Sequence, residues 1–189
     1  AGALYFNNAV LCSGANLAYT KCAFEEVNGF KDIDHIASGD DVLLMYKIKE
    51  KFPKQINFLK HKDAIVFTQA KLTFGEFINQ RRRWSSKSFK DLNTDTKLVA
   101  FTVYSFNLLL FVLLLISIAS LNSFRIFCIL FAIKCFIDFL LLFLAASFFN
   151  KQKILVYFLP QVCLYIFYIV LTGLAGIFGK YEWKGRTTN

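Results

Sequence analysis

Residues 98–120 read LVAFTVYSFNLLLFVLLLISIAS, an apolar run without a single formal charge. At 1.5 Å per residue such a run crosses the roughly 30 Å hydrocarbon core of a bilayer. Two more follow, Phe124 to Phe149 and Ile154 to Phe178, the last broken once by Pro160. In lipid the backbone must satisfy its own polar groups, so these runs predict three membrane-spanning helices. Of the aromatics Tyr157, Tyr165, Tyr168, Tyr181 and Trp183, several stand near the expected interfaces.

Working outward, the residues before Leu98 have the composition of a water-facing α/β protein. The 189-residue chain is 56% hydrophobic, with 23 Phe, against roughly 45–50% apolar for ordinary soluble domains. Its mean hydropathy is +0.47, and the excess lies in the apolar runs. The net charge of +9 concentrates just ahead of the first run, in Arg81, Arg82, Arg83, Lys87, Lys90 and Lys97. A juxtamembrane basic cluster faces anionic lipid, and no helix-turn-helix, zinc-finger or RNA-binding signature accompanies it, so nucleic acid is not expected as a partner. Cys12, Cys22, Cys128, Cys135 and Cys163 form no CxxC spacing and read as reduced, buried small hydrophobes. With only His35 and His61 and no HxxxH, zinc is not expected.

The basic cluster places the leading end of the first span in the cytoplasm. Arg125 in the first loop and Lys151 with Lys153 in the second agree with an outward and then an inward crossing. Three full crossings would leave the tail outside, yet it carries Lys180, Lys184 and Arg186. Either the tail is outside despite its charge or one segment is re-entrant, the Pro160 segment being the candidate. Lys134 and Asp138, four apart within the second span, read as a self-neutralised pair or as a contact for a polar lipid headgroup.

In the water-facing part, Ala9-Val10-Leu11-Cys12 predicts a buried strand ending in the turn Ser13-Gly14-Ala15-Asn16. Asn16 is either a turn residue bonded to its own backbone or an amide presented to a ligand. A helix capped by Thr20 follows, stopped at Asn28-Gly29-Phe30, with Gly29 the expected left-handed residue. Asp32-Ile33-Asp34 spells a DxD, but in a charged loop and not after a buried strand, so it is set aside as a metal site. Ser38-Gly39-Asp40-Asp41 then leads into a helix over Val42–Lys49. One Asp suffices as a cap; the second carboxylate is free to take a proton from a hydroxyl. Gln55–Leu59 and Ala64–Thr68 predict two more strands.

An amphipathic helix is expected over Leu72–Lys90, with Phe74, Phe77, Ile78, Arg81 and Trp84 recurring at steps of three and four. Gln80, Arg83 and Trp84 stand at i, i+3 and i+4, which puts an amide, a guanidinium and an indole on one face. Alone, such a stretch reads more readily as a basic helix on a membrane surface than as a grip on a phosphorylated, sugar-bearing ligand.

Taken in order, Ser13-Gly14-Ala15-Asn16, Asn28-Gly29-Phe30, Gly39-Asp40-Asp41 and Gln80-x-x-Arg83-Trp84, followed by apolar spans, resemble the C-terminal half of membrane-bound family 2 glycosyltransferases. This group includes cellulose and hyaluronan synthases and many single-sugar transferases. The resemblance implies an α/β fold class, part of a GT-A glycosyltransferase domain, followed by an α-helical transmembrane region. The implied division is residues 1–70 for the catalytic half-domain, 71–97 for an interface helix and linker, 98–179 for the transmembrane helices and 180–189 for a basic tail. It also implies inverting transfer from a nucleotide-sugar donor to a lipid-linked or saccharide acceptor, in cell-envelope polysaccharide or glycolipid synthesis. The location would be the cytoplasmic face of a bacterial inner membrane, in contact with membrane lipid.

By the same resemblance Asp41 is the catalytic base and Asp40 its acidic neighbour. Gln80, Arg83 and Trp84 close over donor diphosphate and acceptor, and Gly14 and Asn16 lie on the acceptor side. Asn28 stands where the family often has glycine. A divalent metal, Mg2+ or Mn2+, is expected, held mainly by a nucleotide-binding half upstream of Ala1; no metal ligand is assigned here. Without that half, residues 1–189 are expected neither to bind donor nor to turn over. A processive polysaccharide synthase is the alternative, although three helices favour single transfer. A non-enzymatic membrane subunit with a basic extension is the reading outside the enzyme class.

Overall fold

The computed structural model describes residues 4, 8–34, 39–85, 93–178, 181–183 and 186–188. Its helices are α1 (Lys21–Glu26), α2 (Asp40–Lys51), α3 (Phe74–Ser85), α4 (Thr94–Ile116), α5 (Leu121–Phe148) and α6 (Phe158–Phe178). Two short strands, β1 (Tyr181–Trp183) and β2 (Arg186–Thr188), pair antiparallel with Tyr181 opposite Thr188. The chain divides into two compact units, residues 1–99 with 175–189, and residues 100–174. Ser38 and residues 86–90 of the expected interface helix lie outside the described residues, as do the side chains of Arg82, Tyr181 and Trp183.

The expected α/β fold class is corrected by the structure. Between residues 8 and 70 the described chain holds α1, α2 and two 3₁₀ turns, Gly14–Asn16 and Lys62–Ala64, and no strand. The segments 9–12, 55–59 and 64–68, expected as strands, are irregular. A strand exists only where a neighbouring strand completes its hydrogen-bond ladder, and here carbonyls are engaged elsewhere. The Val10 carbonyl accepts from Tyr46 Oη at 3.1 Å and from Thr96 Oγ1 at 3.1 Å. The Ala64 carbonyl accepts from Asn16 Nδ2 at 2.8 Å. Alternation marks segments that can pair; it does not supply the partner.

Within the first unit α2 is the hub. It starts at Gly39, whose φ of 105° is a left-handed geometry open to glycine at little cost. Asp40 and Asp41 occupy its first turn and Lys49 and Lys51 its last, each favourable to the helix dipole. One face buries Val42, Met45 and Tyr46 against Ala9, with Leu4, Cys12, Leu43 and Ile56 around them. Burying each such aliphatic side chain contributes about 1.5–3 kcal/mol. Tyr46 Oη also shares a 2.8 Å hydrogen bond with Thr96 Oγ1 in the first turn of α4, and both residues are buried. Burial pushes the Tyr46 phenol above its ordinary pKa, because the phenolate loses hydration there. Lys49 adds an ion pair to Asp95 at 3.4 Å and a 2.6 Å hydrogen bond to Asn8. Residues 8–10, α2 and the head of α4 are thereby one assembly.

In the second unit, α5 and α6 pack antiparallel, with Phe139 against Phe158 and Lys134 over Tyr165. The segments of α4 and α6 in this unit are antiparallel too. Phe111 meets Phe167 edge to face at 5.7 Å, and Gly173 leaves the space that the Tyr104 ring fills. Pro160 falls in the first turn of α6, where its missing N–H has no intrahelical partner to lose. A 3₁₀ stretch, Gln152–Tyr157, leads into that helix. The three helices are long and apolar enough to cross a membrane. Much of their surface is apolar and open, including Phe136 at 72% and Leu159 at 65% exposure. Such a surface suits a lipid solvent and not water.

Candidate active site

Gly14 and Asp41, 27 residues apart, meet directly: the Gly14 N–H donates to Asp41 Oδ2 at 2.8 Å. The other oxygen, Oδ1, accepts from the Val42 N–H at 2.9 Å. The carboxylate is thus held from two sides at the head of α2, and each oxygen keeps lone-pair capacity for a further donor. Asp41 is half-buried, whereas Asp40 beside it is exposed. The extended Ser13 backbone delivers the 3₁₀ turn Gly14–Asn16 to this place. A Cβ at Gly14 would stand 3.4 Å from Asp41 Oδ2, an ordinary van der Waals contact, so the approach depends on the Gly14 N–H and not on the missing side chain.

Asn16 commits its Nδ2 to the Ala64 carbonyl, tying this turn to the Lys62–Ala64 turn. It also lines a cleft of about 550 Å3 whose walls include Leu44, Met45, Ile48 and Phe58.

The Asn28-Gly29-Phe30 stop is built as a double-bonded helix end. Asn28 N–H donates to the Glu25 carbonyl at 2.9 Å and Gly29 N–H to the Phe24 carbonyl at 2.8 Å, the pairing of a Schellman motif. Asn28 has φ 55° and Gly29 φ 50°, so both are left-handed. Lys47 of α2 then donates to the carbonyls of Gly29 at 2.7 Å and Lys31 at 2.8 Å. Lys51 adds an ion pair to Glu26 at 3.2 Å. Cys22 reaches the same carboxylate at 3.1 Å. The Cys22 hydrogen bond, aided by Lys51, lowers the Glu26 pKa, and Glu26 in turn raises that of the thiol. Lys47 thus ties α2 to the end of α1, a structural role that the sequence reading missed, since a lysine on a helix signals only a solvated face.

Gln80 and Arg83, both half-buried, and Trp84, 46% exposed, stand on α3. This helix packs beside β1. The structure therefore ties Gly14 to Asp41 directly and presents the Gln80, Arg83 and Trp84 set on a separate helix of the same unit. Arg81 belongs to neither group. Its guanidinium lies 4.8 Å from the Phe77 ring centre and 4.4 Å from that of Trp84.

Among the described residues no three His, Cys, Asp or Glu side chains converge as a metal site. None of the five cysteines is in a disulfide, and Cys22, Cys128 and Cys163, expected to be buried, are exposed.

The open apolar helices of the second unit make this a membrane protein. The family model described as Glycosyl transferase family group 2 matches residues 2–176, a span that takes in every motif segment above. The chain belongs to that family, and it is a transferase that moves sugar from a nucleotide-sugar donor to an acceptor. No curated protein and no solved structure matches it.

Proposed function

We propose that the protein catalyses inverting transfer of a sugar to a lipid-linked or saccharide acceptor at the cytoplasmic face of a bacterial plasma membrane, with Asp41 as the base. The observation that carries this is the hydrogen bond from Gly14 N–H to Asp41 Oδ2. It joins two separated motif segments and fixes a carboxylate at a helix head. In the reaction, Asp41 takes the proton of an acceptor hydroxyl as that oxygen bonds to the anomeric carbon. The bond from that carbon to the donor diphosphate breaks on the opposite face, and the nucleoside diphosphate leaves with the electron pair. Gln80 and Arg83 donate to its oxygens, where charge develops. Trp84 offers its indole face to the acceptor ring and so orients the attacking hydroxyl. Gly14 and Asn16 shape the acceptor side, and Asp40 adds negative charge beside the base.

A Mg2+ or Mn2+ ion would supply charge stabilisation at the diphosphate. The described residues provide no cluster of three ligands for it.

Asp41→Asn in the full-length enzyme tests the assignment. The asparagine oxygen can still accept from one of the two N–H groups, that of Gly14 or that of Val42, so the fold and membrane insertion should persist. Turnover should fall about 10²- to 10⁴-fold, the usual worth of a positioned base. A well-inserted Asp41→Asn protein with parental turnover would remove Asp41 from the mechanism.

A further inference from the structure

Three consecutive arginines precede Trp84, and the proposed chemistry uses only Arg83. Arg81 has a different setting. It stands four residues after Phe77 and three before Trp84, so one face of α3 presents ring, guanidinium and ring in sequence. The guanidinium lies over both rings, at 4.8 Å and 4.4 Å from their centres. Its Nε is fully shielded from solvent, although Trp84 itself is 46% exposed. Phe74, one step further back, stacks on Phe77 with centres 6.4 Å apart. The stripe of Phe74, Phe77, Arg81 and Trp84 is thus continuous from near the start of the helix to its end.

We propose that Arg81 is a positioning residue: its guanidinium, seated on Phe77, braces one face of the Trp84 indole and thereby fixes the plane in which the other face meets the acceptor sugar. A tryptophan near a helix end, half open to solvent, has two side-chain torsions to settle. Without a brace its ring samples several planes, and an acceptor must pay to select one. Arginine suits this task because its guanidinium is planar, stacks on aromatic rings and keeps its charge at any working pH. Lysine provides the charge without the plane.

The inference rests on the reading of Trp84 as the acceptor platform, and the test separates the two. In the full-length enzyme with every tryptophan but Trp84 replaced by phenylalanine, Trp183 of this chain included, emission and acrylamide quenching report on the Trp84 ring. Arg81→Leu should red-shift that emission and increase quenching. It should also raise the acceptor KM about tenfold, the worth of two exposed cation–π contacts, while the donor KM stays at its parental value. Arg81→Lys should fall between parent and Arg81→Leu in both measurements. Unchanged emission and acceptor KM in Arg81→Leu overturn the brace, as does a donor KM that rises in step with the acceptor KM. Trp84→Phe with an unaltered acceptor KM overturns the platform reading instead, and the emission comparison alone then decides whether Arg81 holds the ring.

Discussion

At position 28 the family often has a glycine where this chain has asparagine, and the local geometry accounts for the exchange. Asn28 and Gly29 both have positive φ, 55° and 50°. The sequence reading assigned the left-handed conformation to Gly29 alone, because glycine is its commonest occupant. The hydrogen bonds show instead that Asn28 takes the first position past the helix cap, where asparagine is the next most tolerated residue. Gly29 carries a second constraint, since a Cβ there would come within 2.6 Å of the Phe24 ring. Thermal unfolding of the purified protein should therefore rank the variants. Asn28→Gly should sit within about 0.5 kcal/mol of the parent, and Asn28→Val should lose about 1–2 kcal/mol from left-handed strain. Gly29→Ala should lose about 2–3 kcal/mol, adding overlap to strain. An Asn28→Val protein as stable as the parent would mean that the left-handed turn is not required.

Among the elements, the apolar helices were legible from hydropathy and their ends were not. The run beginning at Leu98 belongs to a helix that starts at Thr94 and stops at Ile116. Asn93 caps it by accepting from the Thr96 N–H at 2.9 Å, and Ser120 caps the next helix through the Ser123 N–H at 3.3 Å. Caps are made by single polar atoms, which a hydropathy average dilutes. The Lys134 and Asp138 pair on α5 was legible as a spacing, with two readings. The structure puts the two side chains in direct contact, Lys134 only 7% exposed and its Nζ 5.1 Å from the Tyr165 ring centre. A buried ammonium that loses its carboxylate has no cheap alternative in an apolar surrounding. Asp138→Asn should thus cost near the low end of the roughly 3–5 kcal/mol typical of a broken buried pair, because Asp138 itself is a third open. The double variant Lys134→Met with Asp138→Leu should recover most of that loss in thermal unfolding. A double variant less stable than Asp138→Asn would show that the pair contributes more than mutual neutralisation.

For the molecule as a whole, one compact unit takes in residues 1–99 and 175–189, and within it β1 packs beside the Gln80–Trp84 helix. Neither feature was legible in the sequence. The chain's charge pattern points to a tail on the same side as the leading end, but three apolar runs imply the opposite side. Counting runs assumes that each one crosses; packing of the tail is a long-range property that no local pattern encodes. α4 and α6 run in opposite directions, with Tyr104 beside Gly173 and Phe111 beside Phe167, as one outward and one return crossing would require. By the rule that basic residues are retained in the cytoplasm, Lys180, Lys184 and Arg186 belong on the same side as Arg81, Arg82 and Arg83. Single cysteines at Lys60 and at Thr188, placed in a background with the five native cysteines replaced, test this directly. In sealed right-side-out vesicles a membrane-impermeant maleimide should leave both positions unlabelled, and in inverted vesicles it should label both. Labelling of position 188 from the side opposite to position 60 would establish three full crossings and separate the tail from the helix on which it packs here.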